Sequence, residues 1–227
     1  MEIYPKSTKK IKGRKNLKKE KLIWNYLWVN LKILLQLLGR ILQKNIYQLI
    51  VITEVKFIGI TPYNLNESLL PKIERFFEGS KKALIIRISE SSYSESFIKT
   101  VMHLSKKNQS IIIFNSSNPV DNFSNIHLTS KDLMRLEKKK NNGFILGASC
   151  HNQEEINKAN ELKCDYVLIS PVLIDKNKNK KIGWKKFKEL AKSFEGKSFP
   201  LGGVKEKDLE KSLAHNGAGI SGISCFF

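Results

Sequence analysis

The sequence predicts a compact α/β fold, a (β/α)8 TIM barrel, preceded by a basic head. Eight short β-branched or apolar runs lie between Phe57 and Ser224, most of them separated by stretches with apolar residues three or four apart. Strand and helix in repeated alternation imply parallel strands joined by right-handed crossovers. Eight strands close such a sheet into a barrel, whereas doubly wound sheets usually have fewer. The last two runs carry glycine-bearing segments, LGGV (201–204) and GISGIS (219–224).

The head comes first in the chain. Residues 1–22 are too polar to pack and read as a solvated tail. The run from Ile23 to Leu42 is strongly apolar but interrupted by Lys32 and Arg40, so it is too short between charges to span a bilayer. Leu27, Leu31, Leu34, Leu35, Leu38 and Leu42 recur at helical spacing, which predicts an amphipathic helix over 23–42. Its apolar face has three readings: docking on the body, pairing with a second copy in a homo-oligomer, or lying in the plane of a membrane surface. A basic start before an apolar stretch is also the order of a signal peptide, but no small-residue cleavage site follows Leu42. The expected division is therefore a head over 1–56 and a barrel over 57–227.

Composition bounds the partners. The 227 residues carry a formal charge of +19, of which residues 1–56 supply +10, and the 41% hydrophobic content is that of a globular chain. Of the 40 basic residues only five are Arg. Sequence-specific forks to bases and phosphates favour Arg, so a dedicated nucleic-acid function is not expected. The three cysteines, Cys150, Cys164 and Cys225, are odd in number and fit no C-x-x-C spacing. That argues against a disulfide framework and a structural zinc, and makes a reducing cytoplasm the default location.

The strand candidates, in order, are FIGIT (57–61), ALIIRI (83–88), SIIIFN (110–115), NIHL (125–128), FILGAS (144–149), YVLIS (166–170), FPLGG (199–203) and GISGIS (219–224). Helical patterns fill 67–80, 94–107, 152–163, 184–194 and 206–217, each with a polar opposite face. Only the third connection, SSNPVDNFS, is too short for a full helix.

In such a barrel the chemistry sits at the C-terminal ends of the strands. Arg87, Asn115, His127, Ser149, Ser170, Gly202 with Gly203, and Ser224 fall at those ends in chain order. An arginine within LIIRIS is costly to bury unless it meets an anion at the mouth or a structural ion pair. Backbone amides of glycine loops after the seventh and eighth strands form the usual phosphate cradle of this architecture, which favours a phosphorylated ligand over the other reading of these glycines, a mere tight turn. His127 and His151 read as hydrogen-bonded strand-end residues, Asp165 and Tyr166 as core geometry, and Cys150 has no base positioned to make it a nucleophile. The Lys-rich loop at 175–181 reads equally as a lid over phosphates or a solvated loop.

These residues resemble the thiamine phosphate synthase and TenI superfamily across essentially all of 57–227. The carriers are FIGITP (57–62), Arg87, Asn115, HLTSKDL (127–133), GASCHNQEEINKANELKCDYVLISPV (147–172), LGGV and GISGIS. The likeness extends to the synthase-like C-terminal half of Nudix (MutT-type) hydrolase fusions, through the same ASCH and SPV runs, Gly183 with Trp184, and Phe226 with Phe227. By that likeness, residues 1–56 are the remnant or altered end of a preceding domain. No Nudix box is present, so hydrolase activity is not expected.

The resemblance implies a transferase that joins a pyrimidine-methyl diphosphate to a thiazole phosphate with loss of diphosphate, so its partners are phosphorylated small molecules and its cofactor is Mg2+ in a weakened site. By position, Arg87 would face the pyrimidine substrate, Asn115 and Ser149 the diphosphate, Asp132 the metal and Lys178 the leaving group. Gly202, Gly203, Ile223 and Ser224 would hold the thiazole phosphate.

The departures weigh against full activity. Ser89 stands where the family carries a lysine, Ser116 where it carries a second metal-binding aspartate, and Asp175 and Asn177 where it carries hydroxyls. The alternative is a non-catalytic phosphate-binding or regulatory module of the same descent. A TenI-type tautomerase ranks lower, because Pro171 occupies the place of that enzyme's catalytic histidine.

Overall fold

The computed structural model describes residues 30, 31, 34, 36, 39, 52, 54–64, 67–79, 81–87, 94–116, 125–137, 144–174 and 181–227. The chain divides into two compact units, Met1–Asn45 and Ile46–Phe227. In the first, Asn30, Leu31, Leu34, Gln36 and Gly39 are helical, with both leucines about half-exposed. The other positions of the expected 23–42 helix lie outside the described residues. The second unit begins earlier than the composition boundary at residue 56, and Ile52 and Val55 are buried in the barrel's interior cluster.

All eight expected strands form. They are β1 (Phe57–Ile60), β2 (Ala83–Ile86), β3 (Ile111–Asn115), β4 (Ile126–Leu128), β5 (Leu146–Cys150), β6 (Tyr166–Ile169), β7 (Lys197–Pro200) and β8 (Ile220–Gly222). Every pairing is parallel, in the order β7-β6-β5-β4-β3-β2-β1-β8. Between β7 and β8 there is no ladder, and the barrel is nearly closed there by single bonds. The amide of Ala218 donates to the Ser198 carbonyl at 2.7 Å, and the Ser221 hydroxyl donates to the Pro200 carbonyl at 2.9 Å.

The helices are α1 (Leu70–Phe77), α2 (Glu95–Lys107), α3 (Ser130–Arg135), α4 (Gln153–Glu161), α5 (Gly183–Lys192) and α6 (Leu209–Leu213). Ser94 caps α2 by accepting from the Phe97 amide, Thr129 caps α3 through the Asp132 amide, and Asn152 caps α4 through the Glu155 amide. Two differences from the sequence expectation stand out. The seventh strand runs from Lys197 and stops at Pro200, because Gly202 and Gly203 have φ of +96° and +75° and cannot extend a strand. The short α3 follows β4, in a connection for which the sequence reading names no helical pattern.

Strand side chains alternate strictly between the barrel interior and the helical layer. On β2, Ala83 and Ile85 join the interior cluster, while Leu84 and Ile86 pack with α1 and α2. On β6, Tyr166 and Leu168 point inward, and Val167 and Ile169 pack with α4 and α5. On β4 and β5 the outer cluster takes Ile126, Leu128, Leu146, Ala148 and Cys150, which leaves His127, Gly147 and Ser149 inward. Register sets His127 beside Gly147 and Gly147 beside Tyr166. A Cβ on Gly147 would lie 2.1 Å from the Tyr166 ring, so the phenol occupies the space this glycine leaves. Gly147→Ala is therefore expected to destabilise the barrel by about 1–3 kcal/mol or more through overpacking. Urea unfolding measures it, and an unchanged midpoint would contradict the packing described.

Candidate active site

The loops after β6, β7 and β8 enclose a cavity of about 670 Å³. Gly202, Gly203, Ile223 and Ser224, the four residues expected to hold a phosphate, all line it, together with Lys205 and Lys207, which the sequence reading did not single out. Gly203 is required twice over. Its φ is positive, and a Cβ there would meet Ile174 at 2.7 Å. Among the described residues, nothing accepts from the amides of Gly203 or Ser224, so both remain available to an anion in a pocket too close-packed for larger residues.

Further round the same rim, Arg87 follows β2 and does not line this cavity. Its guanidinium donates twice to the Thr61 carbonyl, at 3.1 Å through Nε and 2.9 Å through a terminal nitrogen. The Arg87 amide donates to the Thr61 hydroxyl at 2.9 Å. Thr61 directly follows β1, so the end of β1 fixes where the charge just after β2 sits. Among the described residues no carboxylate pairs with Arg87, and burial lowers its pKa. A half-buried cation held by a neutral carbonyl keeps its charge for an incoming anion. Asn115 is buried at the end of β3. Ser89, Asp175 and Lys178 lie outside the described residues.

Asp132 is committed to local structure. Its Oδ2 accepts from the Ser116 hydroxyl at 2.6 Å and the Thr129 hydroxyl at 2.7 Å, and these bonds hold the carboxyl below its ordinary pKa. Ser116 therefore lends Asp132 a hydrogen bond and brings no second negative charge beside it. Among the described residues no three His, Cys, Asp or Glu side chains gather as metal ligands, and nothing donates to Asp132 Oδ1. Magnesium keeps several waters and takes one or two carboxylates plus substrate phosphates. This donor set fits an ion that arrives with a diphosphate, and it does not make a preformed protein site.

Inside the barrel the sequence reading missed a network. The His127 ring is buried, with Nδ1 3.0 Å from the Tyr166 hydroxyl and Nε2 2.9 Å from Ser149 Oγ. Burial, and then the nearby Arg87 charge, push the His127 pKa down to about 3. The signal was present in the pattern of polar residues at inward positions of β4, β5 and β6, but only the register shows that they meet. His151 follows the end of β5 and is exposed, its Nδ1 2.8 Å from the Ser170 carbonyl. Cys150 is buried in the outer core with its thiol pKa raised by burial, and burial likewise pushes Cys225 up to about 11, so neither is a poised nucleophile.

A neutral buried histidine makes stability pH-dependent. Because the folded pKa lies below the unfolded value near 6.5, the unfolded chain binds the extra proton between roughly pH 6.5 and 3, and stability falls as pH falls through that window. His127→Gln is expected to remove a slope of about 1.4 kcal/mol per pH unit there, the value for one proton. Urea titrations at pH 4.5, 5.5 and 6.5 check it, and identical slopes in the two proteins would show that His127 is not held neutral.

Comparison with known proteins agrees with this arrangement. The sequence profile described as thiamine monophosphate synthase (TMP-TENI) matches residues 57–226. The thiamine-phosphate synthase of Prochlorococcus marinus subsp. pastoris is 28% identical over 167 residues, covering 70% of this chain and 47% of its own length. The putative thiamine-phosphate synthase 2 of Aquifex aeolicus is 24% identical over 168 residues, covering 70% of this chain and 90% of its own. The chain thus spans about half the length of the Prochlorococcus protein and most of the Aquifex one. Among solved structures, thiamine phosphate pyrophosphorylase from Pyrococcus furiosus superposes with a TM-score of 0.59 at 18% identity, over 76% of this chain and 87% of that one, a likeness of fold. With a match running from the first strand to the turn that follows the last, the chain belongs to the thiamine monophosphate synthase (TMP-TENI) family.

Proposed function

We propose that this protein is a thiamine-phosphate-synthase-type transferase. It joins a pyrimidine-methyl diphosphate to a thiazole phosphate. The bond from the methylene carbon to the diphosphate oxygen breaks, its electron pair leaving with the diphosphate, and the thiazole nitrogen gives its pair to that carbon. The observation that carries this reading is the cradle of Gly202, Gly203, Ile223 and Ser224 in one cavity. Free amides of Gly203 and Ser224 suit the phosphate of the thiazole partner, a group whose own charge is unchanged while the ring nitrogen becomes cationic.

The diphosphate end falls to the residues on β2, β3 and β5. Arg87 supplies a cation anchored by Thr61, and Asn115 and Ser149 supply polar contacts that favour charge developing on the leaving group. Lys178 belongs to the same role by position alone. Magnesium, when bound with the diphosphate, supplies further charge stabilisation, with Asp132 as its protein ligand. The likeness to the synthase-like half of Nudix fusions belongs to this proposal and rests on the motifs quoted above. So does a cytoplasmic setting; among the described residues no helix is long and apolar enough to cross a membrane. The basic head is proposed as a separate segment whose exposed leucines meet a membrane surface or a second copy.

The alternative, a non-catalytic phosphate-binding module, draws on the hydrogen bond by which Ser116 occupies Asp132. Purified protein with both substrates and magnesium separates the two. Thiamine phosphate should form, Arg87→Ala should lower kcat by about 10²-fold, and Ser224→Ala, which keeps the amide but removes the side-chain hydroxyl that would add a second donor to the phosphate, should raise KM for the thiazole phosphate by about tenfold. Tight binding of thiamine phosphate in calorimetry without turnover would select the module, and failure to bind any phosphate would remove both.

A further inference from the structure

Three strands converge on one buried hydrogen-bond path, and its polarity can be worked out from the donor count. Tyr166 and His127 are both interior, with rings stacked at 5.6 Å and an interplanar angle of 22°. Gly147, between them in register, leaves the gap through which the phenol reaches across β5. The phenol is wholly buried, and a buried hydroxyl that finds no acceptor is costly. Among the described residues its only hydrogen-bond partner is His127 Nδ1. The phenol hydrogen therefore goes to Nδ1, which must be the unprotonated nitrogen, and a neutral ring then carries its hydrogen on Nε2. That hydrogen points at Ser149 Oγ, 2.9 Å away. The reverse polarity, with Nδ1–H donating to Tyr166, would strand the phenol hydrogen in the core.

We infer that Tyr166 and His127 are positioning residues that set the polarity of Ser149, so that its hydroxyl hydrogen is turned away from the interior and donated to an anion at the barrel mouth. Ser149 is the inward residue nearest the C-terminal end of β5 and is half-buried, whereas His127 and Tyr166 are closed off. Its oxygen accepts from Nε2–H, which excludes donation back to the ring. The remaining hydrogen needs an acceptor, and diphosphate oxygens are acceptors only. Burial, with the Arg87 charge beside it, keeps the ring neutral, so it carries one hydrogen and not two. The choice of diphosphate rests on the function proposed above; the polarity of the path does not.

Two measurements on the full chain test this separately. Long-range 1H–15N correlation spectra of the 15N-labelled protein at pH 7.5, with the His127 signals identified by their loss in His127→Gln, are expected to show a single Nε2–H tautomer. In Tyr166→Phe the ring should no longer hold one tautomer. An Nδ1–H ring in the unsubstituted protein overturns the inference whatever the protein binds. Calorimetry with pyrophosphate and magnesium supplies the second readout. Ser149→Ala and Tyr166→Phe should each weaken binding about tenfold, the worth of one hydrogen bond to an anion. The double variant should be no weaker than Ser149→Ala alone, because both changes remove the same donor. Additive losses would overturn the path, since they would mean that Tyr166 acts on the site by another route. If the unsubstituted protein binds no pyrophosphate while the Nε2–H tautomer is present, the diphosphate assignment falls and the proposed function with it, but the Tyr166–His127–Ser149 polarity stands.

Discussion

The structure depends on the inward–outward alternation of a closed parallel sheet. Each strand gives every second side chain to an interior too narrow to repack, so a residue's parity decides whether it meets solvent-free core, helices or the mouth. Most inward positions are filled by Ile, Leu, Ala and Phe. On β4, β5 and β6 they are His127, Gly147, Ser149 and Tyr166, and this polar sector survives because its members satisfy one another. Gly147 makes that arrangement possible. With any side chain there the phenol could not cross the sheet, and a buried imidazole would lose its partner.

The mouth divides its work between two kinds of group. In the proposed function, anion recognition on the side of β7 and β8 falls to backbone amides in glycine loops, which carry no desolvation penalty of a full charge and whose positions are set by close contact with Pro171 and Ile174. On the side of β1 and β2 the proposal gives it to a single guanidinium oriented by a carbonyl. A chain that uses Arg only five times has placed one of them half-buried at a strand end. The many lysines elsewhere shape the overall field and its steering of anions more than the geometry of any contact.

The eight strands were legible because each is a short β-branched run, and the glycine-bearing loops that line the cavity were legible as LGGV and GISGIS at the ends of the last two. The ends were less so. The reading ran the seventh strand through Gly203, since the hydrophobic pattern of Phe199 to Leu201 continues smoothly, and only the left-handed backbone at Gly202 shows that the strand has stopped. The α3 helix escaped because six residues hold too little periodicity; its cap, Thr129 with Asp132, was the usable signal. His127 and Tyr166 are 39 residues apart, and no local pattern links them. Their meeting is a property of register.

Asp132 shows how a site can change character without losing its residue. In the resemblance it is a metal ligand paired with a second carboxylate, an arrangement in which two like charges repel until a cation joins them. Here Ser116 removes one of those charges and donates to the other, so the pocket edge is satisfied before any ion arrives. The same Oδ2 takes the Thr129 hydroxyl, and Thr129 caps α3, so the carboxylate now supports a helix start as well. The balance has moved from a site that needs its cation to one that tolerates it. In the proposed function, magnesium would then come largely with the substrate, and the protein's own share of anion stabilisation would fall on Arg87, which Thr61 orients, and on the Ser149 hydroxyl beside His127.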